Sequence, residues 1–539
     1  MAVRSSIRNP KPKWSLNDLC PELLALIFWP CCQPKQLDEI DSRSAALVRC
    51  VCRRLNAIAT PIAYRELVLN ERIVADDAER EYPDAFQHIY AYTHHVVARS
   101  NLDPGGIRRI LERAQRVQSV RWRYIPSGFS DGPFWLPSDV LGQDQIQGKG
   151  IRLLVEGLPL LSSKEKYQDF YLKSIPSELL VSLELAHPMP PLTTRLHSLK
   201  DLLLASPHLE TLHYRDKGQG THFSFTGSER LPPLKDLVLE SYDWNHDKHS
   251  VATHWDFSRI RSLALLSVPI HSFLTSVPPT SLAALHTLHA SDFSAHHHHL
   301  PHPGPPDHRL SATLDLAALV STHIRALVDL RLTCHVSLFP PSALLRHAAS
   351  LRRLSLRDHV GFADDDRRCP TLPAPDLEVL AGALDRLTAL ELDMDFDDDN
   401  HNQQQRQRFL QALCHFPALR TLTLHTQTVL RPTGCDDDDD DDDDLPAAAA
   451  ADADPDRDAA ARTFAFLVRN RGAGVGGGDV PVPWQRVTLN VGSGGAVARR
   501  MGEGWRGVVA ERCFVLERAE GSGGGGRGFV FREEGGGGV

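Results

Sequence analysis

From Val117 onward the chain keeps returning to one arrangement of apolar and polar positions, apolar-x-x-apolar-x-apolar. It occurs at Val117/Val120/Trp122, Leu180/Leu183/Leu185, Leu209/Leu212/Tyr214, Leu234/Leu237/Leu239, Ile260/Leu263/Leu265 and Leu285/Leu288/Ala290. It continues at Leu327/Leu330/Leu332, Leu351/Leu354/Leu356, Leu387/Leu390/Leu392, Leu419/Leu422/Leu424 and Trp484/Val487/Leu489. The last two apolar positions of each hexad alternate with polar residues, so each hexad predicts a short strand with one buried face. Between hexads the apolar spacing switches to a helical period at Leu196/Leu199/Leu202/Leu203, Leu377/Leu380/Leu384 and Phe409/Leu410/Leu413. One strand and one helix per unit is the result.

Spacing turns the motif into a fold prediction. Hexads that start at 209, 234, 260 and 285, and again at 327 and 351, are 24 to 26 residues apart, inside the period of a leucine-rich repeat. Leucine is common enough for isolated copies to arise by chance, but a regular run from Leu209 to Ala290 is not explained that way. Such units cannot bury their apolar faces alone and stack into a continuous parallel sheet, so the fold class predicted is α/β, an irregular leucine-rich-repeat solenoid over 72–430. Larger gaps coincide with a His/Pro stretch from His296 to His308 and an acidic, Ala-rich stretch from Asp436 to Arg462. The second is taken as a low-complexity insertion over 431–462. A terminal repeat or cap is expected over 463–518, with strand-like pieces at Val487–Val491 and Cys513–Leu516, and a disordered Gly-rich tail over 519–539.

The polar positions of the predicted strands form a second pattern. If the leucines point inward, then Thr211/His213/Arg215, Asp236/Val238/Glu240, Asp329/Arg331, Arg353/Ser355/Arg357, Glu391/Asp393 and Thr421/Thr423/His425 share the opposite, concave face. Both charge signs and several hydroxyls mix there, which suits a protein partner better than a phosphate backbone.

The N-terminal 70 or so residues follow a helical pattern instead. After a flexible start (1–14), Asp18 and Pro21 mark a helix with Leu19, Leu23, Leu26 and Ile27 on one face, stopped by Pro30 and Pro34. Ser42 can cap a second helix with Leu47, Val51, Cys52, Leu55, Ile58 and Ala59 in period, closed by Pro61. Two short helices bury little by themselves, so the module at 15–71 needs a partner or the following domain to cover its apolar face.

Charge and composition narrow the chemistry. The formal charge of -9 is matched by nine consecutive aspartates, Asp436 to Asp444, and without them the chain is balanced; neither nucleic acid nor an anionic membrane is an expected partner. The start does not resemble a secretory signal, and the apolar run from Leu23 to Cys32 is too short to span a bilayer, so a cytoplasmic or nuclear location is expected. Of the 10 cysteines, Cys20, Cys31, Cys32, Cys50 and Cys52 fall in apolar surroundings and read as reduced core thiols, without the spacing of a zinc knuckle. No metal and no cofactor is expected: His296–His299, His302, Asp307 and His308 sit among prolines with nothing to orient the rings, and like charges in the aspartate run repel. Gly472–Gly477 contains a GxGxxG match that leads into Val480-Pro481-Val482-Pro483, a poor helix start for a phosphate site. The sequence holds no nucleophile elbow, phosphate loop or HExxH helix, so an enzyme has no positive support and a hydrolase would need a polar triad brought together by the fold.

Leu19-Cys20-Pro21-Glu22-Leu23-Leu24-Ala25-Leu26-Ile27-Phe28 followed by Leu47-Val48-Arg49-Cys50-Val51-Cys52-Arg53-Arg54-Leu55-Asn56 resembles the F-box family. The continuation Ala59-Thr60-Pro61-Ile62-Ala63-Tyr64-Arg65-Glu66-Leu67 is similar to the module's exit in many fungal F-box proteins, and the hexads are similar to their divergent leucine-rich repeats. Cys20 stands where the family has proline and Leu55 where it has tryptophan, and Trp29-Pro30 interrupts the first helix. The resemblance implies that Leu19, Pro21, Glu22, Leu23, Ile27, Phe28, Val51 and Cys52 meet a Skp-type adaptor of a cullin-RING ubiquitin ligase. It implies also that the repeats select a protein substrate, with the ligase chemistry left to the partners. A repeat-based interaction scaffold without ubiquitin transfer is the alternative reading.

Overall fold

In the computed structural model the structure describes residues 49–125, 135–141, 148, 150–159, 171–186, 196–216, 221–292, 308–359, 370–394, 400–426, 454–471, 483–491, 512–518 and 529–534. The chain is mixed α/β and divides into two compact units, Met1–Ala186 with Asp201–Leu209, and His187–Lys200 with Glu210–Val539.

The first unit begins with α1 (Arg53–Ala63) and then alternates parallel strands with short helices. Its strands β1 (Glu66–Val68), β2 (His95–Arg99), β3 (Ser119–Arg123), β4 (Arg152–Leu158) and β5 (Leu180–Leu185) lie side by side in sequence order. Between them come α2 (Glu71–Val74), α3 (Ala78–Glu81), α4 (Pro83–Tyr92), α5 (Pro104–Arg113) and α6 (Pro137–Leu141). Helix starts follow ordinary capping chemistry: the Asn70 side chain accepts from Ile73 N at α2, and Asp103 from Gly106 N ahead of Pro104 at α5. The Leu196/Leu199/Leu202/Leu203 segment becomes α7 (His197–Leu204).

The second unit repeats the same plan. Strands β6 (Thr211–Arg215), β7 (Asp236–Glu240), β8 (Ser262–Val268), β9 (Thr287–Asp292), β10 (Asp329–Cys334), β11 (Arg353–Asp358), β12 (Ala389–Asp393), β13 (Thr421–Thr426) and β14 (Arg486–Val491) are all parallel. Then β15 (Arg512–Arg518) and β16 (Phe529–Glu534) add on as antiparallel strands. The intervening helices include α8 (Lys248–His254), α9 (Ile270–Ser276), α10 (Arg309–Ala318), α11 (Ser342–Leu345), α12 (Ala374–Ala383), α13 (Asn400–Cys414) and α14 (Pro455–Arg471).

Register makes the repeat physical. Leu212, Leu237, Leu263, Leu288, Leu330, Leu354, Leu390, Leu422 and Val487 occupy one continuous row across β6–β14. Tyr214, Leu239, Leu265, Ala290, Leu332, Leu356, Leu392, Leu424 and Leu489 occupy the next inward row, and both rows are buried. Helices pack over this leucine side, so the core lies between sheet and helices. Each strand entry is tied to the one before by its backbone: the Glu210 carbonyl accepts from Lys235 N and Asp236 N, that of Lys235 from Arg261 N and Ser262 N, and that of Arg261 from His286 N and Thr287 N. The same pairing recurs at His286, Val328, Arg352, Thr388 and Arg420.

Several expectations need correction. The second N-terminal helix is not continuous: Cys52 is extended (φ -160°) and its sulfur accepts from Leu55 N, so α1 starts afresh there. Pro61 lies within α1 and does not close it, since a proline this near the end forfeits one hydrogen bond while Tyr64 N still reaches the Thr60 carbonyl. Cys50 and Cys52 are exposed thiols, not core ones; Cys20, Cys31 and Cys32 lie outside the described residues. The module drawn at 15–71 already contains β1. In β5 the register slips at a bulge, so that Leu180 pairs with Leu153 and Leu183 with Val155. The low-complexity stretch 431–462 runs into α14, whose Ala460, Phe464 and Leu467 are buried, and the tail thought disordered contains β16, held on β15 with Phe531 against Phe464 and Phe514. The His296–Asp307 and Asp436–Asp444 runs and the GxGxxG segment lie outside the described residues.

Two tests follow from this packing. At Gly106 a Cβ would stand 2.1 Å from the Val74 carbonyl oxygen, and Arg109 Nη2 already holds the Val74 and Ala75 carbonyls at 3.0 and 2.8 Å. Gly106→Ala is expected to cost about 1–3 kcal/mol in urea denaturation, whereas Gly382→Ala, in open space on α12, costs nothing. Two buried histidines set a pH limit. The Tyr242 hydroxyl accepts Phe223 N–H and is hydrogen-bonded to His246 Nε2 at 2.8 Å, while His347 takes Leu327 N–H on Nδ1 and donates from Nε2 to the Val320 carbonyl. Burial first, then the neighbouring His222 and His254, push His246 down to about 4, and burial likewise lowers His347. The unfolded chain binds these protons more readily, so stability is full above pH ~6.5 and falls with acidification by roughly 1.4 kcal/mol per pH unit for His246. Denaturation curves between pH 7 and 5 should show this slope, and His246→Gln should flatten it.

Candidate functional site

The polar sides of β6–β14 form the face to which the sequence assigned a partner. Its residues stand in register rows: Thr211, Asp236, Ser262, Thr287, Asp329, Arg353, Ala389, Thr421 and Arg486 in one, and His213, Val238, Ala264, His289, Arg331, Ser355, Glu391, Thr423 and Thr488 in the next. The third runs from Arg215 and Glu240 to Arg357, Asp393, His425 and Asn490. Thr211, His213, Arg215, Asp236, Glu240, Arg357, Glu391, Thr421 and Thr423 are half-buried, and Arg331 and Arg353 are exposed. Asp329 and Asp393 are buried, contrary to their assignment as contact residues, because long arginine side chains lie over them.

Three electrostatic groups organise this face. At β6–β7, His213 Nε2 stands 3.4 Å from Asp236 Oδ2 and Arg215 Nε 3.8 Å from Glu240 Oε2. At β9–β11, Asp329 is only 2 % exposed and is met by Arg353 Nε at 2.7 Å, Arg331 Nε at 3.3 Å and His289 Nε2 at 3.4 Å. Burial alone would raise the Asp329 pKa, yet the neighbouring His289 ring and the two guanidinium charges hold it at about 2. At β11–β14, Arg357 Nε donates to Asp393 Oδ1 at 2.8 Å, and the Asp358 amide to Asp393 Oδ2 at 2.7 Å. His425 donates from Nε2 to Glu391 Oε1 at 2.8 Å; burial works against the Glu391 carboxylate, but His425 and Arg357 bring it to about 2.

These groups cross-link neighbouring strands and hold both signs of charge in fixed places. Among the described residues no group of three or more His, Cys, Asp or Glu is placed to hold a metal ion. Cys334 and Cys414 are buried, and burial raises both thiols, Cys414 to about 11, so neither is a ready nucleophile. The face is suited to meeting another polar surface.

The adaptor-contact set is only partly placed. Leu19, Pro21, Glu22, Leu23, Ile27 and Phe28 lie outside the described residues. Val51 is 69 % exposed, and Cys52 is exposed at the start of α1. Sequence reasoning did not single out the polar side of the first unit, where Glu156 bridges Arg121 at 3.2 Å and Arg123 at 3.0 Å across β3–β4; the alternation Ser119-Val120-Arg121-Trp122-Arg123 was the available signal. It also missed the C-terminal network in which Arg486 meets Glu517 and Glu534. In comparison with known proteins, no family's sequence profile matches this chain and no curated protein is significantly similar to it.

Asp329→Asn should reveal what its carboxylate holds together. The substitution removes the one carboxylate that, among the described residues, faces both half-exposed guanidiniums and the His289 ring, and a loss of about 1–3 kcal/mol in chemical denaturation at pH 7 is expected. Because the folded pKa lies below the unfolded value near 3.9, this contribution is present above pH ~4 and disappears as the pH falls toward 2. A variant as stable as the parent at pH 7 would show that the cluster contributes nothing to folding.

Proposed function

We propose that this protein is a non-enzymatic substrate receptor of a cullin-RING ubiquitin ligase, with its N-terminal F-box-like helices bound to a Skp-type adaptor and its leucine-rich-repeat solenoid bound to the protein to be modified. The observation that carries the recognition half is the in-register row of polar residues across β6–β14, opposite two rows of buried leucines and helices. A sheet of this kind offers side chains fixed by cross-strand bonds, so a partner binds without first ordering the surface. The adaptor half is supported by the F-box-like run Leu19–Phe28 and Leu47–Asn56, and by the exposure of Val51 just before α1. The substrate-binding half involves Thr211, His213, Arg215, Asp236, Glu240, Arg331, Arg353, Arg357, Glu391, Thr421 and Thr423.

The test is a titration of the purified full-length chain with a Skp-type adaptor by calorimetry. Tight binding is expected, and Leu23→Asp with Ile27→Asp should abolish it by placing two charges in an apolar interface. A wild-type chain that is folded by circular dichroism and does not bind leaves the repeats as an interaction scaffold without a ligase connection.

A further inference from the structure

We infer that the polar face of β9–β11 is a docking site for an acidic segment of a partner protein, read by the guanidinium groups of Arg331 and Arg353. This inference rests on the reading of the β6–β14 face as a protein-binding surface and names the chemistry of its partner.

Charge on this face is balanced at both ends and unbalanced in the middle. At β6–β7 each basic side chain stands beside its own carboxylate, His213 by Asp236 and Arg215 by Glu240. Toward β14 the acids are likewise committed, Asp393 to Arg357 and Glu391 to His425. Between them, two guanidiniums and an imidazole converge on the single carboxylate of Asp329. Both arginines reach it through Nε, and neither has another hydrogen-bond or ion-pair partner among the described residues. Their side chains are 50 % and 56 % exposed, against 3 % for the carboxylate beneath them. Asp329 therefore acts from below as an anchor that aims two forks outward, and the amino edge of a guanidinium is the part that recognises a carboxylate in pairwise fashion.

The neighbours make room for such a guest. In the row of Asp329 and Arg353 the flanking residues are Thr287 and Ala389, and in the row of Arg331 they are His289 and Ser355, with Ala264 one strand further. Small side chains beside two long cations leave a floor over which an extended chain can lie. A nucleic acid requires cations repeated along a track, whereas here the surplus is confined to three strands and bounded by Glu240 and Glu391. Carboxylate side chains of a short peptide segment match the extent and the sign of the patch.

Fluorescence anisotropy with the full-length chain and a fluorescein-labelled peptide rich in glutamate and aspartate tests the inference, the control being the same peptide with glutamine and asparagine. The acidic peptide is expected to bind at least about tenfold more tightly than the control, with affinity falling steeply as salt is raised. Arg331→Gln should weaken it about fivefold or more and Arg331→Lys less, while Arg230→Gln, which alters an exposed pair with Asp256 away from the polar face, leaves it unchanged. Because Arg353→Gln also bares Asp329, that variant is used only if its unfolding curve matches the parent's. Equal affinity for the two peptides, or acidic-peptide binding insensitive to Arg331→Gln, overturns the proposal. So does binding that appears only after Asp436–Asp444 are replaced by asparagine, which would assign the patch to the chain's own aspartates. Adaptor binding is measured separately through Leu23 and Ile27, so failure at either site is distinguishable from failure at the other.

Discussion

The fold hangs on one backbone interaction repeated at the entries of β2, β3 and β7–β14. The residue after the first apolar position of a hexad turns its carbonyl toward the next repeat and accepts two amides there, as Val328 does from Arg352 and Arg353, and Arg352 from Thr388 and Ala389. The first unit has the same device: the Arg65 carbonyl takes the His94 and His95 amides, and the His94 carbonyl those of Gln118 and Ser119. A carbonyl so placed must be preceded by a side chain pointing into the core, which is why Leu209, Leu234, Ile260, Leu285, Leu327, Leu351, Leu387 and Leu419 are all buried. Register is thereby fixed at the start of each strand. What happens in the rest of the repeat is free to vary: β13 and β14 pair residue for residue although the chain between them runs from Thr426 to Arg486. Loop length costs little once the ends are held, because closure entropy rises only slowly with length.

A sheet built by addition has an open end, and the last elements deal with it by changing chemistry. After β14 the direction reverses, and β15 and β16 pair antiparallel with alternating charges across them: Arg486 with Glu517 and Glu534, Arg512 with Asp454 and Glu533, and Arg532 with Glu517 and Glu534. Charged side chains on a terminal strand discourage further pairing with another chain. Helix α14 is fixed to the same end by a buried cation. Arg471 donates to the Cys414 carbonyl at 2.9 Å and the Leu419 carbonyl at 2.6 Å, with its guanidinium 4.3 Å from the centre of the Trp484 ring. It closes the C-terminal carbonyls of α13, where the helix dipole favours positive charge. Burial lowers its pKa to about 10, which still leaves it charged at neutral pH.

How far the sequence could be read depended on whether inward positions were apolar and evenly spaced. All eleven hexads fall on strands, and the segments with a helical period at Leu377 and Phe409 became α12 and α13. Strand β2 escaped notice because Thr93 occupies the first inward position, its hydroxyl bonded to the Tyr64 carbonyl in place of apolar contact. Strand β4 was blurred by two register shifts against β5, one of them spanning Gly157, whose φ of +66° suits only glycine comfortably. Cys52 hid the restart of α1, since a thiol is an uncommon helix cap. The candidate face was legible as alternation, but depth was not: nothing in the spacing distinguishes Asp329 from Asp236, and only the positions of the arginines on neighbouring strands bury the former. The aspartates nearest to large cations are thus the ones that sequence reasoning exposes wrongly.

That distinction between depth and alternation bears on what the face can recognise. A buried carboxylate surrounded by cations spends its charge internally and stiffens the side chains above it, so the cost of ordering them is met on folding and not on binding. Where cation and anion are matched one to one, as at Arg215 and Glu240 or Arg357 and Asp393, little net field remains for a partner to sense. Where the count is uneven, as around Asp329, the remainder points outward. The specificity of such a surface lies less in its total charge than in where the pairing fails, and on β6–β14 it fails over three adjacent strands flanked by alanine, serine and threonine. Few side chains usually dominate a protein interface, and among the described residues of β6–β14 Arg331 and Arg353 are two that present their amino edges outward together.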